Sequence, residues 1–233
     1  MKIALLHDSL LVCAGSERVF LSLIEEFNEA DIFTLAYNPK TTCPQFSEYN
    51  INTSWVNKLI SSHERFKIGF PLCTYVMQYW NFSDYDMIIS SSATTAKYIA
   101  KFRGQHICFG YYPTRAIWDT NAYFSDTNIK GIIFRIIKPY LKYRDLQASK
   151  RVSQFIAQSQ VSTDAFKKFY RKKAPIIHSP INYRKFKNGL KEDKSDNFLI
   201  VSRLVHWKCI EYAIEAFNSI NKPLTIIGTG DIE

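Results

Sequence analysis

The feature that most constrains this chain is an alternation that begins at its second residue. Residues 2–7, Lys-Ile-Ala-Leu-Leu-His, are a short apolar run that ends in polar residues, the pattern of a buried parallel strand. A loop with Gly15-Ser16 follows. Residues 17–27 then carry apolar side chains at helical spacing: Val19, Leu23 and Phe27, with Phe20 and Ile24 beside them. Residues 31–35, Asp-Ile-Phe-Thr-Leu, give a second strand. Strand, loop, helix, strand in that order predicts a doubly wound α/β sheet.

The alternation continues. Residues 86–92 form a strand that ends in Ser90-Ser91-Ser92, with a short helix expected through residues 96–99. Residues 105–110 are the next strand and lead into Tyr111-Tyr112-Pro113. Residues 153–159 predict a strand and 161–170 its helix, with Ser162 or Thr163 as N-cap. A last strand is expected at 175–178. Residues 184–196 are polar and charged around Gly189 and read as a linker. A new cycle then starts: strand 197–202, helix 209–219, strand 223–228. The expected organisation is a complete domain over 1–183, the linker over 184–196, and an incomplete one over 197–233. A unit of about 40 residues does not bury a full core of its own.

Composition narrows the class. With 46% hydrophobic and 22% charged residues the chain is globular and not disordered. Mean hydropathy is −0.17, and no run approaches the roughly 18 apolar residues of a membrane-spanning helix. The apolar run at Met1–Leu6 is too short for a signal peptide, so a cytoplasmic location is expected. The five cysteines are scattered, with no Cys-x-x-Cys pair, and read as buried free thiols. The five histidines show no metal-ligand spacing, so no metal is expected. A net charge of +9 favours anionic partners: phosphorylated ligands, an acidic membrane surface or nucleic acid. No nucleic-acid-binding motif supports the last.

Several residues are candidates for chemistry. Residues 108–119 follow a predicted strand, at the end of the sheet where open α/β folds bind ligands. There Arg115 offers a planar cation, Asp119 a carboxylate, Tyr111 and Tyr112 hydroxyls, and Trp118 a stacking face. The competing reading is a packed aromatic loop with one Arg–Asp pair. Gly15 lies between a strand and its helix, where a diphosphate or a sugar could approach a helix N-terminus. No G-x-G-x-x-G accompanies it. Arg203 and Lys208 flank the first strand–helix turn of the second cycle and could grip a diphosphate; a solvated surface is the bland alternative. Gly228-Thr229-Gly230 is a nucleotide-side loop or a simple turn. His7 either faces the cleft or is a satisfied structural histidine. The segment 130–144 puts Arg135, Lys138 and Lys142 on one helical face and Ile133, Ile137 and Leu141 on another. It would lie on an anionic bilayer or, the favoured reading, pack on its own domain, with Pro139 kinking it or starting a new helix.

Taken together these segments resemble bacterial GT-B glycosyltransferases of family four, the group 1 retaining enzymes, in the branch that builds O-antigen, capsule and exopolysaccharide. The resemblance runs over essentially the whole chain. It is carried by Ala4–Asp8 with Gly15–Val19, Ala30–Leu35, Tyr85–Ser92, Pro113-Thr114-Arg115 with Trp118-Asp119, Phe155–Ser159, Val201–Leu204 with Lys208, and Gly228-Thr229-Gly230. It implies two Rossmann-like domains, the first for the acceptor and the second for the sugar nucleotide. Arg203 and Lys208 would neutralise the departing diphosphate without a metal or other cofactor. Gly15, Ser16, Gly228 and Gly230 would line the donor side, and His7, Tyr112, Arg115, Trp118 and Asp119 the acceptor side. A lipid-linked saccharide acceptor at the inner membrane face, with peripheral attachment there, is implied as well.

Three departures qualify that picture. Ala14 replaces the first of the paired glycines usual in the family. Tyr111 stands where the branch carries the His of His-Thr-Pro, and so takes its catalytic position. The chain ends before the E-x7-E motif that holds the sugar and ribose. The polypeptide is therefore expected to be an inactive, truncated or fragmentary transferase. The alternative is a non-catalytic acceptor- or partner-binding module that docks a complementary fragment or self-associates.

Overall fold

The structure, a computed structural model, describes residues 1–100, 102–119, 129–181, 183, 196–230 and 232. The chain divides into two compact units, Met1–Pro180 and Ile181–Glu233. The expected linker 184–196 lies, except for Asp196, outside the described residues.

The first unit is built on a parallel sheet of β1 (Ile3–His7), β2 (Asp31–Thr34), β3 (Ile51–Thr53), β4 (Met87–Ser92), β5 (Gln105–Gly110) and β6 (Gln154–Ala157). The spatial order is β3-β2-β1-β4-β5-β6. Every ladder is parallel, from Leu5 opposite Ile32 and Ile89 to Phe109 opposite Ile156. The order runs outward from β1 in one direction, returns, and leaves through β4 in the other. The topological switch point therefore lies between the carboxyl ends of β1 and β4.

β1 shows why its first four residues, Ile3 to Leu6, are all apolar. It is central and covered on both faces, so alternation has nothing polar to alternate with. Ala4 and Leu6 face a cluster with Leu35, Val56, Phe66, Met77 and Tyr98. Leu5 faces the other way, onto Phe20, Ile24, Ile32 and Phe46. Both leucines are fully buried, and each contributes on the order of 2 kcal/mol of hydrophobic stabilisation. Five helices surround this sheet: α1 (Gly15–Glu26), α2 (His63–Ile68), α3 (Phe70–Val76), α5 (Ile129–Arg151) and α6 (Gln160–Tyr170). A single turn, α4 (Arg115–Trp118), follows β5. The second unit consists of β7 (Phe198–Val201), α7 (Ile210–Ile220) and β8 (Leu224–Ile227), its two strands parallel.

The structure corrects several local expectations. No helix forms at residues 96–99. The amides that would begin it are turned onto a carboxylate, as described below. Residues 175–178 make only an isolated bridge, Ile176 to Ala157. Pro175 has no N–H to give a ladder, which confines this segment to a sheet edge. The N-cap of α6 is Ser159, whose Oγ accepts the Ser162 N–H at 3.3 Å. Pro139 neither breaks α5 nor starts a new helix. It is exposed, on the solvent side of the helix. β3, α2 and α3 lie in a stretch where the sequence shows no regular pattern.

The cysteine expectation fails in part. Cys73 and Cys108 are buried free thiols, and burial pushes both up to about 12, which makes them inert. Cys209 is exposed. Cys13 and Cys43 form a disulfide across 30 residues. Their separation in sequence hides that β1 and β2 are adjacent parallel strands. The loops leaving their carboxyl ends therefore meet, and the Thr42 hydroxyl also bonds the Val12 carbonyl at 3.1 Å.

Two tests follow from this fold. Closing a loop of that length stabilises by about 3 kcal/mol. Mild reduction is expected to lower the unfolding free energy by that amount and to make Cys13 reactive to iodoacetamide beside Cys209. Unchanged stability and labelling would show that the two thiols are not joined. His106 supplies the second test. It is buried, with Nε2 against the Ser90 hydroxyl at 2.8 Å and no partner for Nδ1 among the described residues. Burial, aided by Arg151, pushes it down to about 3 from the ordinary 6.5. Its contribution is complete above pH 6.5, where both states are neutral. It is lost as the pH falls toward 3, by up to about 1.4 kcal/mol per pH unit. Denaturant titrations of His106→Asn across that range should show a shallower pH dependence than the parent.

Candidate functional site

The carboxyl end of the first sheet is organised by acids that the sequence reading overlooked. Asp8 follows β1 directly and lies at the switch point. Its carboxylate accepts four consecutive backbone N–H groups from the loop after β4: Ala93 (2.7 Å), Thr94 (2.8 Å), Thr95 (2.7 Å) and Ala96 (2.6 Å). The Ser92 hydroxyl adds a further bond at 3.2 Å. At the switch point, where an open α/β sheet receives its ligand, the amides of the β4 loop are taken up by the chain's own carboxylate.

Beside it, a line of hydrogen bonds joins four elements. The Tyr111 hydroxyl donates to the Ser16 carbonyl at 3.1 Å, so it must accept from Ser91 Oγ, 2.8 Å away. Ser91 has then used its only proton and accepts from His7 Nδ1 at 3.1 Å. His7 Nε2 faces Glu17 at 3.6 Å, and the ring stacks on Phe20 with centroids 4.8 Å apart. Glu17, at the third position of α1, also accepts the Ala14 N–H (3.1 Å) and the Ser16 hydroxyl (3.0 Å), half of a capping box. Burial pushes the Glu17 carboxyl up, but the hydrogen bond and charge of His7 and the bonds from Ser16 and the backbone outweigh it. The net direction is down.

The structure places the predicted residues as follows. His7 is 2% exposed and does not face a cleft; it is a structural histidine under α1. Ser16 uses its hydroxyl on Glu17 and its carbonyl on Tyr111. Tyr111 is a neutral donor, raised by burial, and its hydroxyl is fully engaged. Gly15 is exposed, and a Cβ there would meet nothing within 4 Å, so the backbone at the start of α1 is approachable. Ala14 caps α1 through its backbone alone.

Tyr112 and Arg115 form a cation–π pair, guanidinium 5.0 Å from the ring centre. Arg115 and Asp119 are joined by a backbone bond, Asp119 N–H to the Arg115 carbonyl at 2.8 Å, and both side chains are exposed. Trp118 does not present a free stacking face. Phe169 packs on it at 5.0 Å, Lys142 lies 5.1 Å from the ring centre, and its Nε1 donates to Asp145 at 2.6 Å. Asp145 is fully buried and is the only acid of α5. It also accepts from Tyr98 (2.6 Å), Thr114 (3.0 Å) and Tyr170, and pairs with Lys97 at 3.1 Å. A lone acid in a 23-residue helix rich in Lys and Arg was the signal that could have marked it.

The second unit holds the predicted cations. Arg203 and Lys208 are both exposed in the connection from β7 to α7, at the carboxyl end of the strand. Cys209 then adopts a left-handed conformation (φ 52°) that turns the chain into α7. The glycines of 228–230 have a packing reason. A Cβ on Gly228 would lie 1.8 Å from the Ser202 carbonyl oxygen, and one on Gly230 1.9 Å from that of Leu204. The loop after β8 runs against the Arg203 loop, with Leu204 N–H bonded to the Thr229 carbonyl at 2.9 Å. These glycines set the floor beneath Arg203. No cluster of metal-binding side chains occurs among the described residues.

No family model and no curated protein matches this sequence. Solved structures do. Anabaena Alr3699/HepE in complex with UDP is 16% identical, with a TM-score of 0.59 over 99% of this chain and 61% of its own. The same protein in complex with UDP and glucose is 15% identical, with a TM-score of 0.54 and the same coverage. The fold is of the GT-B type. The chain thus spans about 61% of the length of the structures it resembles.

The buried pair gives the test for this site. Asp145→Ala strands the Lys97 ammonium and three hydroxyls in the interior, and such losses cost about 3–5 kcal/mol. Asp119→Ala, on an exposed carboxylate, should stay within about 0.5 kcal/mol of the parent. Chemical denaturation of both variants checks the ranking. Glu17→Gln should leave stability unchanged below the lowered Glu17 value and reduce it above the ordinary 4.5.

Proposed function

We propose that this chain serves in nucleotide-sugar-dependent glycosyl transfer, as the acceptor-side unit and the opening β-α-β of the donor side. The observation that carries the reading is the β7–α7 connection. It presents two exposed cations, five residues apart, in a connection that packs on Gly228 and Gly230 beside Arg203 and leads into a helix, on a fold shared with a UDP-bound protein. Cations at a strand's carboxyl end suit a diphosphate, whose charge grows as the glycosyl bond breaks. Arg203 and Lys208 act on that developing charge, and Gly228 and Gly230 let the backbone come close. Gly15 is the approachable backbone position on the first unit, and half-buried Tyr112 with exposed Arg115 and Asp119 are its polar side chains toward an acceptor. Retention of anomeric configuration, a lipid-linked saccharide acceptor at the cytoplasmic membrane face and a role in cell-surface polysaccharide belong to the same reading. So does the expectation that residues 1–233 bind the nucleotide without turning it over, since the glutamates of E-x7-E are not among them.

A second reading is a binding module that docks another polypeptide. Its support is the β7–β8 sheet, where Leu199, Val201 and Ile227 are exposed.

Calorimetric titration with UDP separates the two. Transfer predicts salt-sensitive binding that weakens about tenfold in Arg203→Ala and in Lys208→Ala, the loss of one charge-assisted contact each. UDP binding that is absent, or indifferent to both substitutions, rejects the nucleotide-sugar reading in favour of the module.

A further inference from the structure

The Cys13–Cys43 bridge joins two residues in different surroundings. Cys13 is exposed, whereas Cys43 is 2% exposed and packs in the cluster of Leu10, Phe20, Ile32 and Phe46. A thiol arriving from solvent therefore meets Cys13 first. The other cysteines of this unit do not compete, since Cys73 and Cys108 are buried and stay protonated.

The bridge also lies where the chain has little else to hold it. Just before it, the Leu10 N–H bonds the Ala36 carbonyl at 2.8 Å, the Asn38 N–H bonds the Leu10 carbonyl at 3.0 Å, and Thr42 holds the Val12 carbonyl. Just after it, Tyr111 holds the Ser16 carbonyl. Residues 13–15 make no hydrogen bond to another element among the described residues; the Ala14 N–H turns back onto Glu17, in the helix it precedes. The disulfide is their tie to the β2 loop. Both neighbours of Cys13 in that span, Ala14 and Gly15, are exposed, so few packed contacts replace it.

We infer that the Cys13–Cys43 bridge is an exchange site for a dithiol reductant, opened at Cys13, whose redox state sets the freedom of the chain entering α1. A reductant thiolate attacks the Cys13 sulfur. The S–S bond breaks, a mixed disulfide forms on Cys13, and the electron pair leaves on the Cys43 sulfur, which takes up a proton. That sulfur leaves into an apolar cluster, which disfavours the thiolate and favours its return onto Cys13. A single thiol is therefore expelled again. A dithiol escapes this, because its second thiolate attacks its own sulfur in the mixed disulfide and releases Cys13, which is protonated in turn. The protein pair gains two electrons and two protons, and the dithiol becomes a disulfide. The sheet is held by its own ladders and by Asp8, so opening loosens residues 13–15 and leaves β1 and β4 in place. The inference does not depend on glycosyl transfer.

The test treats the full chain, without denaturant, with dithiothreitol or with glutathione at equal thiol concentration, followed by iodoacetamide and peptide mass analysis. The untreated chain should carry no label on Cys13 or Cys43. Dithiothreitol should open the bridge, and glutathione should leave most of it closed. In Cys43→Ser, which has no returning thiol, the glutathione adduct on Cys13 should rise at least about tenfold over the parent. In ¹⁵N spectra of the dithiothreitol-treated chain, the amides of residues 13–15 should shift and sharpen, while those of β1 and β4 keep their positions. A bridge that resists dithiothreitol until denaturant is added overturns the inference, because it is then a closed structural staple. Adducts formed equally on Cys43 overturn the assignment of Cys13 as the point of attack. Loss of the β1 and β4 signals on reduction overturns the local opening, and thiols that stay free under oxidised glutathione overturn the site itself.

Discussion

The first unit depends on one carboxylate. Asp8 stands where β1 ends, 6% exposed, and gathers the four amides of residues 93–96. Hydrogen bonds to a charged group are worth about 1.5–3 kcal/mol each, though not additively. For the amides of Thr95 and Ala96, both buried residues, the alternative is burial without partners. The interaction spans the two central strands of the sheet, whose pairing through β1 and β4 separates its two halves. It also decides a local conformation. Residues that would otherwise open a helix form instead a tight turn around an anion.

The same loop is held a second time, from its far end. Lys97 is 3% exposed, donates to the Thr94 carbonyl and the Thr114 hydroxyl at 2.7 Å, and pairs with Asp145. Asp145 in turn collects Tyr98, Thr114, Trp118 and Tyr170 from the loop, from either end of α4, and from α6. A buried ion pair need not stabilise more than an apolar replacement would. What it does is specify. The segment after β5, which contributes Tyr111, Tyr112 and Arg115, has one position because Thr114 and Trp118 are both tied to the same carboxylate.

The alternation of apolar runs with helical spacing was enough to place β1, α1, β2, β4, β5, β6, α6 and the β-α-β of the second unit. Parallel buried strands declare themselves through short continuous apolar stretches, as at residues 3–7. The stretch between β2 and β4 was silent because its helices are short and half of their residues face outward. The site was less legible for a different reason. Its organising residues are acids and a lysine whose partners lie 84 to 88 positions away for Asp8 and 25 to 48 for Asp145. Nothing local distinguishes such a residue from a solvated one. Candidates chosen by type, such as Ser16, His7 and Trp118, turned out to be engaged internally. The disulfide was hidden in the same way, since adjacency of Cys13 and Cys43 is a property of strand order.

The charged groups of the two units differ, and on the nucleotide-sugar reading each unit would have its own share of the work. The carboxyl edge of the first sheet carries Asp8 and Glu17, both anionic and both using the amides and hydroxyls that an incoming anion would need. A diphosphate placed there would meet two carboxylates and few free donors. The groups that remain at that end are exposed Gly15, Arg115 and Asp119 and half-buried Tyr112, a mixed polar set suited to hydroxyl groups. The second unit shows the reverse: Arg203 and Lys208 exposed beside a glycine-floored loop, at a helix start. On the nucleotide-sugar reading the diphosphate therefore belongs to the second unit for an electrostatic reason independent of any likeness. On that reading the first unit would be left to the acceptor, and the switch-point carboxylates, which hold the loop after β4 in place, would disfavour a second anion there.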